Sequence, residues 1–298
     1  MTRPGARRRR GAAASLIGLG MVATLALSAC GQGTSAKPAG DPAGAKSVAA
    51  GALPSSHVHG ISRDPGSGKV NLATHEGLFV LQPDASWQKV GPEVDLMGFA
   101  VSAPGTFYAS GHPAAGVDLP VPVGLIKSTD AGRTWASLSR GGESDFHALT
   151  ASAKGVVGFD GALRMTPDGK TWAQGELPAE PRSLAAAPDG SQVLATTTKG
   201  LLSSTDQGRT WTPLTSAPEL FLIAWADPKT VVGVTTEGGV AVSQDAGASW
   251  QIGAAKLTSG QAVSASRDSA SALEILVVTD TGVLQSRDNG ATLTELKR

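Results

Sequence analysis

Ser128-Thr129-Asp130-Ala131-Gly132-Arg133-Thr134-Trp135 decides how this chain is read, because the phrase recurs. It returns as Ser204-Thr205-Asp206-Gln207-Gly208-Arg209-Thr210-Trp211 and as Ser243-Gln244-Asp245-Ala246-Gly247-Ala248-Ser249-Trp250. Thr166-Pro167-Asp168-Gly169-Lys170-Thr171-Trp172 is one residue shorter, and Ser286-Arg287-Asp288-Asn289-Gly290-Ala291-Thr292-Leu293 ends in leucine. Pro83-Asp84-Ala85-Ser86-Trp87 is a worn first copy. The closing positions lie 48, 37, 39, 39 and 43 residues apart, and five of the six tryptophans occupy them. A period of this size marks a repeat architecture.

The residue types explain what each copy does. The aspartate accepts hydrogen bonds from backbone amides ahead of it, the glycine supplies a left-handed turn conformation, and the tryptophan packs between sheets. Short apolar runs flank the copies, such as Gly200-Leu201-Leu202-Ser203 before one and Thr212-Pro213-Leu214 after it, and read as strands joined by tight turns. Strands in sets of four at this period form the blades of a β-propeller. The expected fold is therefore all-β, a six-bladed β-propeller over residues 53–298, with blades of about 41 residues. The phrase resembles the Asp-box (BNR) repeat, which sits between the third and fourth strands of a blade. That resemblance makes Asp130, Asp168, Asp206, Asp245, Asp288, Trp135, Trp172, Trp211 and Trp250 structural. Sialidases, sortilin-like receptors and photosystem assembly factors share the repeat, so it speaks to fold and leaves activity open.

The N-terminus has a different composition. Of 298 residues, 25 are Lys or Arg and 25 Asp or Glu, but residues 1–29 hold Arg3, Arg7, Arg8, Arg9 and Arg10 and no acid. Residues 30–298 carry 20 basic against 25 acidic side chains, a net charge of −5, which argues against a nucleic-acid partner. Arg7 to Arg10 precede a run of small and apolar residues, Gly11 to Ala29, ending Leu27-Ser28-Ala29-Cys30. This resembles the bacterial lipoprotein signal: residues 1–29 are the signal peptide, and Cys30 carries the lipid. The expected location is the outer face of the cell membrane, with the membrane as a partner through the lipid anchor. The paired arginines leave the Sec and twin-arginine routes both open. Cys30 is the only cysteine, which excludes a disulfide framework and a thiolate metal cage. Residues 30–52, poor in large apolar side chains, read as a flexible tether.

The repeats also align the chain with itself. The innermost strands are His57-Val58-His59-Gly60-Ile61, Asp95-Leu96-Met97-Gly98-Phe99, Asp145-Phe146-His147-Ala148-Leu149 and Glu180-Pro181-Arg182-Ser183-Leu184. One column reads His59, Met97, His147, Arg182, and two residues earlier it reads His57, Asp95, Asp145, Glu180. Blades five and six offer Leu220, Leu222 and Gln261 or Ala262. His75 and His112 fall between the second and third strands of blades one and two, and Asp160 falls in blade three. Propeller geometry places these loops and the start of the inner strands at one end, opposite the repeated turns. All five histidines are thus expected at one end. Imidazoles converging with a thioether or carboxylates suit copper or zinc, which makes His57, His59, His75, Met97, His112, Asp145 and His147 the candidate metal or ligand residues.

A sialidase needs a tyrosine nucleophile and three arginines on the substrate carboxylate. The one tyrosine, Tyr108, lies in the apolar strand Thr106-Phe107-Tyr108-Ala109-Ser110, and Arg133, Arg209 and Arg287 lie in the repeated turns. A two-carboxylate glycosyl hydrolase would draw on Asp95, Asp145 or Glu180. The motifs His57-Val58-His59-Gly60, Thr74-His75-Glu76-Gly77-Leu78-Phe79, Met97-Gly98-Phe99, Gly111-His112-Pro113 and Ser144-Asp145-Phe146-His147-Ala148-Leu149 resemble a family of bacterial lipoproteins catalogued as glycosyl hydrolases with BNR repeats. The resemblance implies a propeller at the cell surface. The residues themselves favour a non-catalytic binding protein whose histidine-bearing end takes a transition metal or a partner. A glycosyl hydrolase and a docking scaffold, with a glycan or protein partner, stand as the alternatives.

Overall fold

The computed structural model describes residues 51–296 and the backbone of residues 47 and 48. The residues expected to form the signal peptide, Cys30 and most of the expected tether fall outside the described residues.

Six antiparallel sheets, each built from strands consecutive in sequence, form a six-bladed β-propeller, and no helix occurs among the described residues. The first strand of each sheet lines the axis: Val58–Arg63, Val94–Ala103, Ala148–Ser152, Pro181–Ala186, Leu220–Trp225 and Ala262–Arg267. Burial follows from this layout. Middle strands are covered on both faces by neighbouring blades, and so read as unbroken apolar runs such as Val231–Thr235 and Leu273–Val278, buried throughout. Outer strands such as Ala136–Ser139 are largely open and polar.

Each core cluster spans two blades. Blade one packs on blade six through Val58, Ile61, Leu72 and Phe79 against Ala262, Leu276, Val278 and Val283. No strand is exchanged at this closure. The inner strands are joined instead by Val58 N–H donating to Gln261 Oε1 at 2.8 Å, and the second strand by Glu274, almost fully buried, which pairs with Arg63. Ser47–Val48 adds a fifth strand to blade one, pairing with Gln88 and Trp87 at its outer edge. From composition these two residues belong to the tether. Their backbone pairs because the last strand of a sheet offers unpaired N–H and C=O groups to any adjacent chain.

The repeated turns show why their residues recur. Asp130 Oδ1 accepts from Ser128 Oγ at 2.8 Å and from Thr134 N–H at 2.9 Å, while Oδ2 accepts from Thr134 Oγ1 at 2.7 Å. Asp206, Asp245 and Asp288 repeat all three bonds. Asp168 makes the same bonds in the copy one residue shorter. In the longer copies the residue before glycine also takes a positive φ, as at Ala131, Gln207, Ala246 and Asn289. Gly132, at φ +83°, is required twice over: besides the backbone angle, a Cβ there would meet Leu78 of blade one at 2.1 Å.

The closing tryptophan of four copies joins a core cluster shared with the preceding blade. Trp135 packs with Leu78, Trp172 with Leu125 and Leu138, Trp211 with Leu163 and Met165, and Trp250 with Leu214. Trp211 and Trp250 donate Nε1–H to the carbonyls of Gly208 and Gly247, each at 3.0 Å, so the half-buried indole nitrogen keeps a partner. The turns rest on the hairpins between first and second strands, for example Ala131 N–H on Gly105 O and Ala246 N–H on Lys229 O. They occupy the end of the propeller away from the starts of the inner strands.

Candidate functional site

At that other end, irregularity is built into the inner strands. In blade one Val58 pairs with Thr74 and Gly60 with Ala73, leaving His59 as an extra residue. In blade two Asp95 pairs with His112 and Gly98 with Ser110, so Leu96 and Met97 face Gly111 alone. In blade four Arg182 is the extra residue between Pro181 and Ser183. These are β-bulges at one recurring position, and a bulge re-aims its side chain. His59, Met97 and Arg182 therefore line the axial channel with His147, Leu222 and Gln261, around a cavity of about 130 Å³. Simple alternation along the strand, which puts His57 and His59 on one face, misses this device. A bulge changes the register without any signature in composition.

The histidines divide into two groups, each on one aspartate. His75 Nδ1 lies 2.8 Å from Asp95 Oδ2, which accepts, and His59 Nε2 lies 3.7 Å from Asp95 Oδ1. One donor atom from each of His59, His75 and Asp95 falls within 4.8 Å of the others. His75 also meets His57 and His59 edge to face, with ring centroids 5.1 and 4.6 Å apart. In the second group His147 Nε2 lies 2.8 Å from Asp145 Oδ2, and His112 Nε2 lies 3.7 Å from the same oxygen.

Glycines make these approaches possible. A Cβ on Gly111 would stand 1.8 Å from the Asp95 carbonyl, and one on Gly98 would stand 2.3 Å from the carbonyl of Phe146. Ser110, fully buried, accepts from Phe146 N–H at 2.9 Å and so fixes the segment bearing Asp145 and His147 against blade two.

Four buried side-chain atoms in this region have no hydrogen-bond partner: His59 Nε2, Asp95 Oδ1, Asp145 Oδ1 and Glu76 Oε2. Buried polar atoms are nearly always paired, and an orphan costs about 1–3 kcal/mol. Glu76 is a residue that the internal alignment does not single out. Burial foremost, then repulsion from His75, holds His59 below the ordinary histidine value, against the opposing pull of Asp95. At neutral pH its imidazole is uncharged and keeps a lone pair to offer.

The remaining sequence candidates sit elsewhere. Glu180 is exposed. Asp160 is tied to Arg164 at 2.8 Å and to Ser144, in a network that also takes in Arg140 and underlies Asp145. Tyr108 is packed against the core cluster between blades two and three, with Lys127 over its ring at 5.3 Å.

A gluconolactonase from Xanthomonas campestris superposes with a TM-score of 0.59 at 12% identity, over 80% of this chain and 86% of that one. A GH74 enzyme from Niastella koreensis gives 0.54 at 18% identity, over 85% of this chain and 38% of the enzyme. YCF48 bound to a D1 peptide gives 0.50 at 16% identity, over 87% of both chains. The chain spans little more than a third of the GH74 enzyme it resembles. No protein-family model and no curated protein matches it. At these identities the likeness is one of fold: the neighbours are propellers of unlike activity, and the same frame carries all of them.

Proposed function

We propose that this protein is a non-catalytic binding propeller whose histidine-bearing end holds a transition metal ion, copper or zinc, through His59, His75 and Asp95. One observation carries the reading: His59 Nε2 and Asp95 Oδ1 are buried, unpartnered and 3.7 Å apart. That separation is too long for a hydrogen bond. It is close to the distance of about 3.3 Å between two donors that share one ion at about 2 Å in a tetrahedral shell. Imidazole with carboxylate is a donor set for zinc or copper(II), and it needs no thiol. His57, against the ring of His75, is placed to orient that imidazole.

The proposal includes export and anchoring through Cys30, supported by the lipoprotein-like signal. Loss of lipid labelling in Cys30→Ala checks this.

The deciding experiment is metal analysis of the purified full chain after dialysis against Zn²⁺ or Cu²⁺. Bound ion is expected in the wild type and is lost from this site in His59→Ala with His75→Ala. Retention of all bound ion in the double variant removes the assignment. Turnover of a fluorogenic glycoside that is abolished in Asp145→Asn and indifferent to chelator would establish a glycosyl hydrolase instead. Absence of both ion binding and turnover would leave a docking scaffold.

A further inference from the structure

Every arginine among the described residues but one has a partner. Arg63, Arg140, Arg164, Arg267 and Arg287 pair with carboxylates, and Arg133 and Arg209 donate to the carbonyls of Asp130 and Asp206 in their own turns. Arg182 has neither an ion pair nor a hydrogen bond. The blade-four bulge makes it the extra residue between Pro181 and Ser183, and it lines the axial cavity of about 130 Å³. His59, one of the three residues proposed above to hold the ion, lines the same cavity, as do His147 and Gln261. No described carboxylate lines it.

The nearest acids lie behind that lining. Asp95 stands 3.7 Å from His59, Asp145 stands 2.8 Å from His147, and Asp280 accepts from Gln261 Nε2 at 3.1 Å. Arg182 by itself therefore does not make the cavity attractive to an anion, because these carboxylates oppose its charge. A divalent ion against Asp95 reverses the balance. Three protein donors also leave such an ion with an open position.

We infer, on the metal-binding reading above, that the axial cavity is an anion pocket that fills once the cation is bound, with Arg182 gripping a small oxyanion beside the ion. The planar guanidinium fork takes two oxygens of one carboxylate or sulfate at once. A cavity of about 130 Å³ has the volume of about four waters in the liquid, which keeps the occupant to a few non-hydrogen atoms. Cation and anion then raise each other's affinity by the same factor.

Isothermal titration calorimetry of the full chain tests this, with acetate and separately with sulfate, on chain stripped over an immobilised chelator and on chain loaded with Zn²⁺. The loaded wild type is expected to bind one equivalent of acetate or sulfate, and the stripped chain to bind it at least about 10-fold more weakly. Arg182→Gln should lose more than about 10-fold in anion affinity, and Arg182→Lys, which keeps the charge without the fork, should fall between. Arg209→Gln, at the turn end, should change nothing. Binding of either anion in this pattern supports the pocket, and the tighter of the two tells a carboxylate from a tetrahedral oxyanion. A chain that binds Zn²⁺ but neither anion overturns the pocket and leaves the ion site standing, as does an Arg182→Gln loss no greater than that of Arg209→Gln. Equal anion affinity in stripped and loaded chains overturns the dependence on the ion. A chain that takes no Zn²⁺ overturns both.

Discussion

The two ends of the propeller use the same residue, aspartate, in opposite ways. At the end bearing the repeated turns, Asp130, Asp206, Asp245 and Asp288 each accept three bonds from their own turn, two of them short-range hydroxyl bonds. At the histidine end Asp95 and Asp145 each keep a buried oxygen with no partner. A carboxylate whose acceptor sites are filled by its own turn is committed to the fold. One that stays half-satisfied in a buried setting retains capacity for a ligand, at a cost to stability.

That contrast can be broken by making the same substitution at both ends. Asp95→Asn replaces an anionic donor by a neutral amide, and ion affinity at the proposed site of His59, His75 and Asp95 should fall by more than about 100-fold, exceeding the loss typical of an outer-shell change. Asp206→Asn should leave it unaltered, as measured by Zn²⁺ titration of both variants. Equal effects would erase the distinction.

Gly132→Ala tests the turn end. Positive φ together with the clash on Leu78 should cost about 3 kcal/mol, read as a lowered denaturant midpoint. Gly200→Ala shares the positive φ but meets nothing within 4 Å, so it should cost about 1 kcal/mol. A similar loss for both would assign the effect to the backbone alone.

Acid sharpens the contrast further. Hydroxyl and amide donors from Thr210 and Thr292 hold Asp206 and Asp288 down to about 2, below the ordinary 3.8. A carboxylate depressed in the folded state contributes stability that is present above its unfolded value and is lost as pH falls through its folded one. Thermal stability should therefore decline between about pH 4 and pH 2, and less steeply in Asp206→Asn with Asp288→Asn. The smallest effect is expected for Arg182→Ala. This side chain lines the channel without a hydrogen bond or ion pair among the described residues, so stability should change by less than about 0.5 kcal/mol.

The fold was legible because its turn chemistry is local and repeated. Gly132 and Trp135 advertise a tight turn and an interblade contact within eight residues, and five relatives of that phrase set the blade count. The gathering of His57, His59, His75 and Asp95 was partly legible for the same reason, since a column in a repeat is a column in space. Two things were not. The bulges that aim His59, Met97 and Arg182 depend on backbone pairing with Thr74, Gly111 and Thr197, and no side chain announces them. The division into two groups depends on which histidine leans on the next blade's aspartate, a contact between segments 20 and 33 residues apart.

Below the cup lined by His59, Met97, His147 and Arg182 lies a second cavity of about 190 Å³, and the two share Ile61, Phe99, Leu149, Leu184, Ile223 and Val263. Each blade contributes one of these six apolar side chains, so a single apolar ring is common to both chambers. A change at any one of the six therefore alters the lining of both at once.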